Sequence, residues 1–101
     1  MLSHTVFFTL KDSSEAACQK LIDCGHNFLK PHEGIVFFGI GRLAGEFDRP
    51  VNDRDFHIAL NVVFDNKDSH DVYQVSEKHL QFITDGQENW EQVRVFDASV
   101  D

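Results

Sequence analysis

Phe56-His57-Ile58-Ala59-Leu60-Asn61-Val62-Val63-Phe64 is the stretch whose pattern decides the architecture of this chain. Successive residues of an extended strand point to opposite sides of a sheet. Phe56, Ile58, Leu60, Val62 and Phe64 therefore form one wholly apolar face, while His57, Ala59, Asn61 and Val63 form a second that is only partly polar. An antiparallel strand with one solvated face alternates apolar with polar residues. This one does not, so it calls for cover on both sides. Gly34–Leu43 repeats the pattern, with Val36, Phe38 and Ile40 opposing Ile35, Phe37 and Gly39. Leu2–Leu10 and Val93–Ala98 are two further extended segments.

Between the strands the apolar spacing changes to three and four. Lys11-Asp12-Ser13-Ser14-Glu15 is a helix start, with Asp12 or Ser13 as N-cap and an acidic first turn. The helix runs to about Leu29, with Ala17, Cys18, Leu21, Gly25 and Phe28 on its apolar stripe. Gly25 weakens its last turns, and Pro31 and Gly34 turn the chain into strand two. Ala44 to Arg54 is a long polar loop. Asp65 and Asp68 then form a capping pattern ahead of a second helical region, from about Lys67 to Asn89. Its apolar positions drift from Val72, Tyr73 and Val75 to Leu80, Phe82 and Ile83, which predicts two pieces with a bend near Val75–Glu77.

Strand, helix, strand, strand, helix, strand is the order of an α+β, ferredoxin-like βαββαβ domain, a four-stranded antiparallel sheet with its helices on one face. Residues 1–101 make a single domain of this kind. The face without helices needs a partner, so the expected assembly is a homodimer through the sheet faces, a dimeric α/β barrel.

A formal net charge of −8, with only nine scattered Lys and Arg, argues against nucleic acid and against anionic membrane surfaces. No segment approaches the ~20 apolar residues of a spanning helix, and no secretory leader is visible, so a cytoplasmic location is expected. Cys18 and Cys24 lie six residues apart on a helix, on different sides of it, and read as reduced thiols. No His or Cys spacing matches a zinc signature, and no Gly-rich phosphate loop follows a strand.

His4-Thr5-Val6-Phe7-Phe8-Thr9-Leu10, Gly39-Ile40-Gly41-Arg42, Phe64-Asp65-Asn66 with Tyr73 and His79 behind it, and Val95-Phe96-Asp97 recur in that order along nearly the whole chain. In these marks the chain resembles the stress-responsive α/β-barrel (Dabb) domain family. The resemblance implies ferredoxin-like subunits paired into a barrel, many members without assigned activity, and at least one enzyme type, the plant olivetolic acid cyclase. That enzyme closes a linear polyketide by aldol chemistry in a pocket between sheet and helices. Its pocket residues match His4, Tyr73 and His79 here. Two features depart from the pattern. The His-Pro-x-His run common in the family reads Ser76-Glu77-Lys78-His79, and the strand-three pocket histidine of the cyclase falls on Ile58.

His4 shares a strand face with Val6, Phe8 and Leu10, and a histidine at the rim of an apolar pocket is suited to acid–base work. Tyr73 and His79 point roughly 240° apart in one straight helix, by the ~100° step per residue, so they converge only if the helix bends between them. His26, His32 and His70 read as solvated residues at helix ends or in loops, and His57 as a residue of the dimer-side face beside Asn61. Trp90 reads as core packing next to the pocket. Three functions follow as expectations. One is a dimeric domain of unassigned activity that binds a small apolar molecule or fills its own cavity with Phe. Another is a cofactor-free lyase or cyclase acting on an apolar carbonyl compound through His4, Tyr73 and His79. The last is a dimeric-barrel monooxygenase.

Overall fold

The computed structural model describes residues 1–101. Strands β1 (Leu2–Leu10), β2 (Ile35–Arg42), β3 (Ile58–Phe64) and β4 (Trp90–Ser99) form one antiparallel sheet in the order β2-β3-β1-β4. β1 lies inside the sheet, so its residues have a cross-strand neighbour on each side. His4 stands between Val62 of β3 and Asp97 of β4, and Val6 between Leu60 and Val95. Directly opposed residues share a face. The register therefore aligns Val6, Phe8, Ile58, Leu60, Val62 and Phe64 beneath the helices, where all are buried.

Strand boundaries and two face assignments differ from the sequence expectation. β2 spans Ile35–Arg42, and β3 begins at Ile58, so Phe56 lies before it and packs on Phe7 of the open face rather than with Ile58 and Leu60. β4 begins at Trp90 rather than Val93, because its pairing with β1 continues past an irregularity between Thr9 and Leu10. β2 carries a second irregularity between Ile35 and Phe37. Ile35 joins Phe38 and Ile40 against the core, while Val36 and Phe37 stand exposed. A strict two-residue alternation cannot anticipate such a bulge.

Helix α1 (Glu15–Cys24) is capped by Ser14, whose hydroxyl accepts from the Ala17 N–H, rather than by Asp12 or Ser13. The chain then makes one π-helical turn, Gly25–Leu29. The extra residue in that turn brings Leu29 into the core, where the predicted stripe had Phe28. Gly25 is required here by proximity. A Cβ at that position would lie 2.6 Å from Ile40 Cδ1. Gly34 turns the chain into β2 with φ of +83°, a conformation that other residues rarely adopt.

The second helical region divides where the drifting pattern predicted. Helix α2 (Lys67–Val75) is capped by Asn66 rather than Asp65, and α3 (Glu77–Gly86) by Ser76. Ser76 is extended, with φ −69° and ψ 152°, and its hydroxyl accepts from the His79 N–H. A short 3-10 turn, Gln87–Asn89, leads into β4. No helix is long and apolar enough to cross a membrane.

Candidate functional site

The break at Ser76 decides the geometry around Tyr73. It folds α3 back toward α2, so the Tyr73 and His79 rings approach to 4.8 Å between centroids instead of pointing apart. A histidine from outside these helices holds the break. His32 Nε2 lies 2.7 Å from Ser76 Oγ, and its Nδ1 lies 2.7 Å from the Leu29 carbonyl. Because a carbonyl only accepts, Nδ1 donates there and Nε2 accepts from the Ser76 hydroxyl. Neither His32 nor His70 is the solvated residue expected from sequence. His32 packs against Tyr73 at 4.9 Å, and His70 lies 5.0 Å from His4 and 5.5 Å from Phe64. His26 is exposed, with its edge on Phe38.

His4 is buried, and its Nδ1 lies 2.5 Å from Asp97 Oδ1. An ionised carboxylate only accepts, so Nδ1 donates, and in the neutral ring Nε2 carries the lone pair. The bond follows from strand register, since His4 and Asp97 are directly opposed on one face. Asp97 was missed as a site residue in the sequence. Its signal was the closing Val95-Phe96-Asp97 taken together with the β1–β4 pairing.

A cavity of about 250 Å³ opens among these residues, lined by His4, Tyr73, His79 and Asp97 over an apolar wall that includes Phe8, Phe82 and Trp90. Trp90 both packs and encloses, with its ring 5.0 Å from Phe8 and 5.6 Å from Phe82. A larger hollow of about 330 Å³ lies between α1 and the end of α3, but none of the three candidate residues reaches it. The volume that matters chemically is the smaller one, because it gathers the titratable groups.

Tyr73 is 1% exposed, and its hydroxyl has no hydrogen-bond partner. Burial pushes its pKa well above the ordinary tyrosine value, so the phenol keeps its proton as a donor. His79 Nδ1 is likewise buried and unpaired. Burial first, and then the neighbouring His4, His32 and His70, lower its pKa and favour the neutral ring. Two unsatisfied polar atoms at one cavity are a cost that a ligand can relieve. One ligand atom from each of His4, His70 and Asp97 also falls within 4.8 Å of the others.

His57 does not pair with Asn61. It precedes β3, and its Nδ1 accepts the Leu10 N–H at 2.9 Å, where β1 is irregular. Asn61 takes the Thr5 hydroxyl instead. Both cysteines are free.

The family model for the Stress responsive A/B Barrel Domain matches residues 2–100. The chain belongs to this Dabb family. No curated protein sequence matches it. Among solved structures, a Dabb family protein of ferredoxin-like fold from Mesorhizobium loti is 22% identical with a TM-score of 0.79, and the match covers 99% of this chain and 96% of that one. A dimeric ferredoxin-like protein of unknown function from Thermobifida fusca is 12% identical with a TM-score of 0.79, covering 98% and 90%. The hydroxynitrile lyase of Passiflora edulis is 18% identical with a TM-score of 0.78, covering 99% and 93%. At these identities the likeness is one of fold.

Proposed function

We propose that this Dabb domain is a cofactor-independent acid–base enzyme of lyase or cyclase type, acting on a small apolar carbonyl compound between sheet and helices. The observation that carries the reading is the cavity, where an oriented His4–Asp97 pair meets two buried polar atoms without partners, Tyr73 Oη and His79 Nδ1. In the proposed reaction His4 Nε2 takes a proton from carbon beside the carbonyl. Tyr73 donates a hydrogen bond to the oxygen as it gains charge, and His79 handles proton return. The volume, just under the roughly 300–1,000 Å³ of common ligand sites, favours a compact substrate. The lyase of similar fold supports the reaction class.

The working form in this reading is a cytoplasmic homodimer joined through the open sheet face. Val36, Phe37 and Phe96 are more than half exposed, and several neighbours of the same fold are described as dimeric. The test is deuterium exchange into an aryl methyl ketone in D2O, followed by NMR on chelator-treated protein. Exchange above background that drops about 10²–10⁴-fold in His4→Ala is expected. Equal exchange in wild type and variant would remove the acid–base reading.

A further inference from the structure

His70 is a half-buried group that the proposed reaction leaves without a task. Its Nδ1 lies 3.1 Å from Asp71 Oδ1, and the other Asp71 oxygen receives the Lys67 ammonium. A carboxylate held this way accepts, so His70 Nδ1 donates, and in the neutral ring Nε2 keeps a free electron pair. That Nε2 is buried and has no partner. The residues beside it also present electron pairs. His4 has one ring nitrogen committed to Asp97, and Asp97 is a carboxylate. Three elements thus converge with abundant lone pairs and one shared proton between them.

We propose that His4, His70 and Asp97 bind a divalent transition-metal ion, zinc foremost, with its remaining coordination positions open to the cavity. Two imidazoles and one carboxylate suit such ions, whereas Mg²⁺ and Ca²⁺ take oxygen ligands. Zinc–nitrogen bonds of about 2.0 Å set tetrahedral donors roughly 3.3 Å apart. The donors here span 4.8 Å or less, and the Asp97 side chain, 45% exposed, has room to swing inward. Asp71 supplies the outer carboxylate that orients a metal-bound imidazole. An ion at this position withdraws Asp97 from His4, so metal loading and proton transfer at His4 exclude each other. That consequence rests on the acid–base reading, but the metal site does not.

The experiment titrates Co²⁺ and Zn²⁺ into the chelator-treated full chain. One ion per chain is expected, with the visible absorption of Co²⁺ on nitrogen and oxygen ligands and a zinc-dependent rise in melting temperature. His70→Gln weakens binding at least tenfold, and Asp71→Asn weakens it about 10–100-fold. His26→Ala and Cys24→Ser bind as wild type. Should His70→Gln misfold, Asp97→Asn, at an exposed side chain, decides the matter with the same expected loss. No uptake at equimolar micromolar metal, or unchanged affinity in the Asp97 or His70 variant, overturns the site. Ketone exchange without zinc uptake would remove the metal site and leave the reaction standing. Zinc uptake without exchange would do the reverse.

Discussion

The two faces of the sheet are built by the same strands with the same pleat, yet they end in different states. On the helix side Val62, Phe64 and Ile58 have no exposed surface, and His4 and Tyr73 are buried among them. On the other side Phe37 and Phe96 remain more than half exposed, while Phe7 packs at a tilt against Phe56 at 4.8 Å and edge-on to Phe96 at 5.7 Å, with Arg94 over its ring. The contrast separates the face that folds the chain from the face that is left in water. Apolar area on the covered face stabilises the single chain by about 1.5–3 kcal/mol per large side chain. The same chemistry on the open face stays in water until something covers it, and exposed apolar patches of this kind mark interfaces.

The sharpest way to break this comparison is to place one charge on each face in turn. Val62→Asp buries an unpaired carboxylate and is expected to cost several kcal/mol, enough to unfold much of an ordinary domain. Circular dichroism reads that loss. Phe96→Asp should keep the native spectrum and shift the sedimentation profile from dimer to single chains. If Phe96→Asp unfolds the protein instead, the two faces are not energetically distinct.

A smaller cut on the covered face is Phe64→Ala. It is expected to lower stability by about 3–5 kcal/mol in denaturant titrations, against less than about 1 kcal/mol for Phe96→Ala in the separated subunit.

Acid distinguishes the faces through His79 on the covered side. Its folded pKa lies below the ordinary 6.5, so the unfolded chain binds the extra proton first. The stability contribution is complete above about pH 6.5 and declines as pH falls toward the lowered folded value. Melting temperatures in metal-free buffer should fall over that window in wild type and fall less in His79→Gln.

The least of these effects has the opposite sign. Tyr73→Phe removes a buried hydroxyl that has no partner and should raise stability by about 1 kcal/mol. The proposed exchange reaction should fall in the same variant. A gain in stability with unchanged exchange would make Tyr73 a core residue only.

Much of the architecture was legible because it rests on local pattern. The apolar alternation of Leu2–Leu10 and the run ending at Phe64 set the strands, and the drifting stripe after Lys67 marked the break that Ser76 makes. Two of the errors fell where one extra residue enters a repeat. The bulge at Ile35–Phe37 and the π-helical turn at Gly25–Leu29 each displaced a face by one position, and no periodic rule registers an insertion. His4, Tyr73 and His79 were picked out by residue type and resemblance, whereas His32, His70 and Asp97 were not. Their neighbours in space lie 44, 66 and 93 positions away, at Ser76, His4 and His4, so spacing along the chain carries no trace of them.

By itself the order of residues determined the split βαβ element sequence, the apolar character of both sheet faces and the acidic balance of the chain, all of which are local or additive properties. Only the tertiary structure decided that His4 meets Asp97, that His32 steadies the turn between Tyr73 and His79, and that a hollow remains among them. Hydrogen bonds between distant residues depend on strand order and register, and an empty volume depends on how every neighbouring side chain packs.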